Sequence, residues 1–218
     1  MSAFDKPRLT IGQRLFIWVM HLFSKVGYGI IVPFQEDYVR TYGAIDYMRW
    51  LMEGFRITTQ LEKRFGQVEG QMIISMAGLW TGCRWCSIAH MFISNLILYH
   101  KEEVLGPIDE LDLPSWQEKT DAEVLDLLDE KLTGRWTAMA AVSRRIYELR
   151  TGEVEPQDED DDLLMRTNVM WELLIECTIM AFDFDPETIP AWGYPGRKRK
   201  LRARYRAARR AANESEVH

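Results

Sequence analysis

The chain has 218 residues, of which 47% are hydrophobic and 11% aromatic, with a formal net charge of −6 at pH 7. This composition supplies enough apolar surface for one folded domain and excludes an intrinsically disordered chain. Three cysteines are too few for a disulfide-stabilised secreted scaffold. We therefore expect a cytoplasmic protein in a reducing compartment, where a C-x-x-C pair usually serves metal or redox chemistry.

The first apolar segment, residues 11–34, is too interrupted to cross a membrane, which requires about 20 continuous apolar residues. Charged or titratable side chains lie inside it, and Gly and Pro residues break its second half: Arg14, His21, Lys25, Gly27, Gly29 and Pro33. Residues 1–10 also lack the pattern of a signal peptide. We predict an N-terminal extension over residues 1–35. Within it, residues 11–25 form an amphipathic helix that packs on the core or on a second subunit, with membrane-surface binding as the alternative.

The remainder of the chain shows helical spacing of apolar residues and no convincing alternation typical of strands. We predict an all-α helical bundle, a single domain over residues 36–195. Residues 182–196, at the junction with the basic tail, are predicted to be irregular. The predicted helices cover residues 36–53, 69–79, 83–100, 121–131, 134–150 and 163–182.

Charge is distributed unevenly along the chain. Residues 197–210 carry nine of the 27 Lys and Arg residues and no acid, so 18 basic residues face 33 acidic ones elsewhere. Residues 153–162 contain seven acids, and we predict a solvated loop there. The basic tail, residues 196–218, is either a flexible or helical segment that offsets the acidic body or a contact for an acidic partner or nucleic acid.

The segment LWTGCRWCSIAH, residues 79–90, holds two of the three cysteines and one of four histidines. On a helix, Cys83, Cys86 and His90 share one face. A cysteine in the first turn of a helix lies near unpaired N–H groups and the positive end of the dipole, which favours the reactive thiolate. His90 lies one turn beyond Cys86 and is placed to exchange protons with it. The spacing therefore indicates a cysteine pair that cycles between dithiol and disulfide.

Two other interpretations of this segment remain open. A zinc ion requires four ligands, and only His21, His100 or a carboxylate could complete the set. Alternatively, the cysteines are small core residues and His90 is an ordinary buried histidine. A thioredoxin-like site is excluded because no strand precedes the cysteines.

The stretch QMIISMAGLWTGCRWCSIAH, residues 71–90, resembles the core of the alkylhydroperoxidase D and carboxymuconolactone decarboxylase-like family. The peroxidase branch of that family has a Glu, an apolar helix and then C-x-x-C-x-x-x-H, with the Glu twelve residues before the first Cys. The resemblance covers about 20 to 30 residues around Cys83, Cys86 and His90.

The resemblance implies an antioxidant thiol peroxidase or related dithiol oxidoreductase on an alkylhydroperoxidase-like all-α fold, assembled as a homo-oligomer (trimer or hexamer). By this analogy Cys86 attacks a hydroperoxide substrate and becomes a sulfenic acid. Cys83 then resolves it as the Cys83–Cys86 disulfide, an external dithiol reduces that disulfide, and His90 belongs to the proton relay. We expect no cofactor and no metal.

One position departs from the family pattern. Gln71 stands where the relay has a glutamate, and an amide does not accept the proton of a thiol at neutral pH. The nearest acid in the helix is Glu69, which a helix turns about 160 degrees away from the face of Gln71. The alternative function is therefore a non-peroxidase relative, a redox-sensing or partner-binding helical protein with a basic tail.

Overall fold

The computed structural model of the chain describes residues 8–28, 31–32, 34–177 and 198–216. All regular secondary structure in these ranges is helical, as the sequence predicts. The α-helices are α1 (Ile11–Tyr28), α2 (Gln35–Tyr42), α3 (Ala44–Phe65), α4 (Gln67–Trp80), α5 (Arg84–Glu102), α6 (Leu113–Trp116), α7 (Asp121–Lys131), α8 (Thr137–Thr151), α9 (Glu159–Cys177) and α10 (Arg199–Glu216).

Helix α4 is the central element of the bundle, and α3, α5, α8 and α9 pack around it. Its sequence is apolar on nearly every side, and a helix of that kind requires neighbours all round. Every residue from Gly70 to Trp80 is buried. The three residues 81–83 connect α4 to α5, and so short a connection makes the two helices a hairpin.

Most predicted helices are found, with shifted ends. The predicted helix over residues 36–53 is divided at Gly43 into α2 and α3, and α3 continues to Phe65. The predicted helix over 121–131 coincides with α7, which begins with a capping box between Thr120 and Glu123. The irregular chain predicted for residues 182–196 lies outside the described residues.

The prediction of a solvated acidic loop over residues 153–162 is wrong in its second half. Residues 159–162 form the first turn of α9, where carboxylates are favoured by the helix dipole. Asp161 is buried and accepts hydrogen bonds from Arg145 and from the backbone N–H of Gln157. The guanidinium of Arg145 holds the pKa of Asp161 below its usual range.

The basic tail forms helix α10, which packs on α5. Three side chains at four-residue spacing are buried along its inner face, namely Leu201, Tyr205 and Arg209. Tyr205 and Arg209 both bind the buried carboxylate of Glu110, in the segment between α5 and α6. Part of the positive charge of this segment is therefore used within the chain.

Helix α1 packs on the bundle through Ile17, Met20 and Ser24, which are buried. The opposite side of α1 is apolar and exposed, in contrast to the polar outer face of an ordinary amphipathic helix. Among the described residues, no helix combines the length and the apolar character needed to cross a membrane.

Candidate functional site

The two cysteines of the C-x-x-C motif form a disulfide at the start of α5. Cys83 is the N-cap residue, and Cys86 is the third residue of the helix. The side chain of an N-cap residue normally reaches toward the third helical position, so cysteines at these two places meet. The Cα atoms are 5.3 Å apart, within the usual range for a disulfide.

The disulfide is fully buried against α4, and Gly78 makes this packing possible. A Cβ atom at Gly78 would lie 2.8 Å from the backbone nitrogen of Ser87 and 3.0 Å from Cβ of Cys86. The backbone N–H of Cys83 donates to the carbonyl oxygen of Gly78 at 2.8 Å. Helix α4 thus holds the first turn of α5, and the sulfur atoms with it, inside the protein.

His90 follows Cys86 by one helical turn and is bound to Gln71 of α4. Nδ1 of His90 and Oε1 of Gln71 are 2.8 Å apart, and both side chains are buried. The structure therefore brings together His90 and Gln71, the two residues that the sequence analysis singled out on α5 and α4.

The hydrogen-bond chain continues from Gln71 to a carboxylate. Nε2 of Gln71 donates to Oε1 of Glu62 on α3 at 2.7 Å. Glu62 is half-buried and lies nine residues before Gln71, across the break between α3 and α4 at Gly66. Sequence reasoning missed Glu62, because a carboxylate in another helix has no fixed spacing from the cysteines.

Gly70 is the signal that could have led to Glu62. A Cβ atom at Gly70 would lie 2.9 Å from the backbone nitrogen of Glu62, so α3 and α4 approach each other closely at this point. Gly70 directly precedes Gln71 in an apolar helix that begins after the break at Gly66. A glycine at such a position indicates that the backbone of another helix passes close to it. The crossing places Glu62 beside Gln71.

The chain of hydrogen bonds fixes the tautomer of His90. A carboxylate only accepts hydrogen bonds, so the amide nitrogen of Gln71 must face Glu62 and its oxygen must face His90. An amide oxygen also only accepts, so Nδ1 of His90 carries the proton. Nε2 of the neutral imidazole is then the atom with the basic lone pair.

Burial keeps His90 neutral. Removal of the ring from water lowers the pKa of His90 to about 3. The ring also contacts the indole of Trp171, with 5.4 Å between the ring centroids. Above pH 5 His90 is therefore a neutral imidazole, in the protonation state required of a general base.

A largely apolar cavity of about 250 Å³ lies beside this hydrogen-bond chain. His90, Gln71 and Glu62 contribute polar groups to its wall, and the rest is mostly aromatic and aliphatic side chains from α1, α3, α5 and α9 and the segment before α2, including Phe34, Tyr47, Trp50, Ile93 and Trp171. The residues that line it include neither cysteine. Cys86 of the disulfide lies one helical turn before His90 along α5.

The other candidate residues lie away from this cluster. Glu69 is in the first turn of α4, with its carboxylate over Gly66, and among the described residues it makes no hydrogen bond to Gln71 or His90. His100 contacts Lys198 at the surface, and Cys177 is buried near the end of α9. In the ranges that the structure describes, no three His, Cys, Asp or Glu side chains are grouped as metal ligands.

Comparison of the chain with models of protein families, with curated proteins and with solved structures found no match.

Proposed function

We propose that the chain is a thiol-dependent oxidoreductase that reduces a hydroperoxide through a Cys83–Cys86 disulfide cycle. One observation carries the proposal: a disulfide at the first turn of α5 lies one turn from a neutral histidine in the wall of an apolar cavity. Two cysteines at a helix start form the arrangement that stabilises a thiolate. The resemblance of residues 71–90 to the alkylhydroperoxidase D-like family gives the reaction class, and a trimeric or hexameric assembly belongs to the same proposal.

The cycle begins with the reduced protein, in which Cys86 is no longer bonded to Cys83 and its side chain can rotate toward His90. Nε2 of His90 accepts the proton of the Cys86 thiol. The thiolate attacks one oxygen of the hydroperoxide, an S–O bond forms and the O–O bond breaks. The leaving alkoxide takes a proton and departs as an alcohol, and Cys86 is left as a sulfenic acid.

The second half of the cycle restores the disulfide and then reduces it. The thiolate of Cys83 attacks the sulfur of the Cys86 sulfenic acid, and hydroxide leaves as water after protonation. An external dithiol then gives two electrons and two protons to the disulfide and becomes a disulfide itself. No bound cofactor takes part in these steps.

The low basicity of His90 limits the rate of the first step. A group with a pKa of about 3 accepts a thiol proton only when the new thiolate lies close enough to stabilise the imidazolium. Gln71 gives a hydrogen bond acceptor to Nδ1 but no negative charge. We therefore expect a slower peroxidase than one with a carboxylate hydrogen-bonded directly to the histidine.

The cavity suggests the size and polarity of the substrate. A volume of about 250 Å³ lies just below the range usual for drug-sized ligands. Its mostly apolar wall favours a small organic hydroperoxide with an apolar substituent over hydrogen peroxide. The hydrogen-bonded side chains of His90, Gln71 and Glu62 give the peroxide group polar partners in this wall.

Stopped-flow oxidation of the fully reduced protein tests the proposal. We expect loss of two thiols per chain, with an organic hydroperoxide reacting faster than hydrogen peroxide. Cys86→Ser should abolish the reaction, and Cys83→Ser should trap a sulfenic acid at Cys86. Cys177→Ser is the matched control and should react like the wild type. A reaction of the wild type no faster than that of a small thiol would exclude the peroxidase.

A redox-sensing role is the second candidate, and Gln71 in the place of a glutamate favours it. A sensor needs a disulfide that forms and is reduced, but it does not need fast turnover. Under this alternative, an external disulfide would oxidise Cys83 and Cys86 by thiol–disulfide exchange, while hydroperoxides would react with them slowly. The basic surface of α10 that remains exposed, including Arg210, would then be tested for binding to an acidic partner.

A further inference from the structure

Helix α1 carries a continuous apolar stripe on the side that faces away from the bundle. The stripe consists of side chains spaced by four, three, four and four residues: Ile11 (88% exposed), Leu15 (63%), Trp18 (63%), Leu22 (51%) and Val26 (68%). This spacing places the five side chains on one face. Val19 and Phe23 widen the stripe on one side and are about half exposed.

The charges of α1 all have one sign. Arg14 and Lys25 are exposed and lie along the edge of the stripe opposite to Phe23, and residues 11–28 include no Asp or Glu. An apolar face with Trp, Phe and Leu, flanked by Arg and Lys, is typical of a helix that lies in the interface of a membrane. A solvent-exposed helix of an ordinary domain has a polar outer face instead.

A basic depression adjoins the same edge of the stripe. It has a volume of about 360 Å³ and is lined by Arg8, Arg14 and His21, together with Trp18 and the ion pair of Arg40 with Glu36. Arginine side chains bind phosphate oxygens through paired N–H groups. The depression therefore offers a place for a phosphate group directly beside the apolar stripe.

The cavity at His90 opens to the surface beside α1. Phe23 lines that cavity and is also 52% exposed, and Phe55 of α3 is likewise both a lining residue and 39% exposed. The exposed side of Phe23 is continuous with the stripe of α1. An apolar molecule bound at the stripe of α1 would thus have a short apolar path, past Phe23, to His90.

We propose that α1 docks the protein on the surface of an anionic phospholipid membrane. The stripe enters the boundary between headgroups and acyl chains, and lipid phosphates bind at Arg8, Arg14 and Lys25. The docking does not depend on the redox function. Charge complementarity selects this occupant, because a second copy of α1 would bring the same cations and no acid, whereas anionic headgroups neutralise them.

The net charge of −6 does not prevent this contact. At physiological ionic strength the field of distant acids is screened within about 8 Å, so the local charge of α1 determines the attraction. The contact should therefore weaken with salt, while the apolar stripe keeps a residual affinity.

Co-flotation of the full-length protein with vesicles tests the proposal. We expect binding to vesicles of equimolar phosphatidylcholine and phosphatidylglycerol and much weaker binding to phosphatidylcholine alone. Leu15→Glu combined with Leu22→Glu should lower the affinity at least about tenfold. Arg14→Gln and Lys25→Gln should each lower it about fivefold on the anionic vesicles only. Both leucines are exposed, so these changes should leave the fold intact, which circular dichroism checks.

Val104→Glu is the matched control, because Val104 is an exposed apolar residue (42%) outside α1. It should bind vesicles like the wild type. Absence of wild-type binding to anionic vesicles overturns the proposal, and so does binding that the leucine variants leave unchanged. If sedimentation shows self-association that the leucine variants abolish, and no vesicle binding, the stripe is an interface between copies of the chain and the proposal fails.

Discussion

The carboxylate of Glu62 accepts a hydrogen bond from the amide nitrogen of Gln71 at 2.7 Å and thereby determines which end of that amide faces His90. Through this amide the acid sets the tautomer of the ring. A side chain that could equally donate or accept at position 62 would not impose this order. Glu62 is therefore a positioning residue, and its effect should be measurable at His90.

Glu62→Gln should slow the oxidation of the reduced dithiol. A glutamine at position 62 can both donate and accept, so Gln71 is free to present its nitrogen to His90, and the ring then loses Nδ1–H. A hydrogen bond to a charged group contributes about 1.5–3 kcal/mol, so we expect a decrease of about ten- to hundredfold in the rate constant. Stopped-flow kinetics with an organic hydroperoxide measures it.

A purely structural role of Glu62 would give a different result. The ¹⁵N resonances of His90 should show Nδ1 protonated in the wild type and a mixture of tautomers in Glu62→Gln. Glu69→Gln is the matched control, because Glu69 lies two residues from Gln71 in α4 and, among the described residues, makes no hydrogen bond to it. If both variants leave the His90 resonances unchanged, Glu62 does not set the tautomer.

The exchanged pair Glu62→Gln with Gln71→Glu should accelerate the reaction. The double variant keeps one amide and one carboxylate in the same hydrogen-bond chain but places the carboxylate directly on Nδ1 of His90. A neighbouring negative charge stabilises the imidazolium and raises the pKa of His90 from its value of about 3. We expect a higher rate constant at neutral pH than in the wild type.

Gln71→Glu alone is the comparison for this prediction. Two carboxylates in hydrogen-bond contact do not both stay ionised, so the single variant should take up a proton and gain less than the double variant. NMR titration of His90 follows the pKa in all three proteins. Equal pKa values of His90 in the wild type and the double variant would contradict the argument.

The cysteine pair can be predicted from the sequence more fully than the hydrogen-bond chain from Glu62 through Gln71 to His90. Cys83 and Cys86 lie at the N-cap and third positions of one helix, so their spacing along the chain is enough to predict that they meet. Glu62 acts across a break between two helices, and its contact with Gln71 depends on how closely the backbones cross at Gly70. Local periodicity does not give that distance. Glu69, the nearer acid along the chain, points to the helix start instead.

Other misjudged segments have the same physical cause. The seven acids of residues 153–162 predict a solvated loop when the sequence is considered alone. Arg145, from a different helix, binds Asp161, and this contact has no signal in the local sequence. The structure buries Leu201, Tyr205 and Arg209 of α10, which recur at four-residue spacing. The partner of this helix, Glu110, lies in an irregular segment without any period, so only the tertiary structure reveals the contact.

The stability of the protein should fall as the pH decreases below about 6.5 because of His90. The folded-state pKa of about 3 lies below the unfolded value of 6.5. Between these values the unfolded chain binds a proton that folded His90 does not bind, so stability rises with pH in this window. Above pH 6.5 the ring is neutral in both states and contributes no dependence. The maximum slope from one group is about 1.4 kcal/mol per pH unit.

Urea unfolding of the wild type and of His90→Asn at pH 7 and pH 5 measures this contribution. Asparagine keeps an N–H donor for Gln71 but does not titrate, so the difference between the two pH values should be smaller in the variant. His100→Asn is the control, because His100 is exposed at the end of α5. An unchanged pH dependence in His90→Asn would show that the folded protein protonates His90 normally.

Arg209→Met should destabilise the protein strongly although it lies in the basic tail. The side chains of Arg209 and Glu110 are only 5% and 3% exposed. Removal of the cation leaves a buried carboxylate that still accepts hydrogen bonds from Tyr205 and Asn95. Loss of one partner of a buried ion pair costs about 3–5 kcal/mol. Urea unfolding monitored by circular dichroism gives the free energy difference.

Arg210→Met is the matched control, since Arg210 is the next residue of the same helix and is exposed. A surface substitution of this kind changes stability by about 0.5 kcal/mol or less. The double variant Glu110→Gln with Arg209→Met removes both charges and should recover part of the loss, because no charge then remains buried. Equal stabilities of the two single variants would mean that α10 is an appendage. A large difference means that the basic tail is part of the core, and that its exposed charges alone are available to a partner.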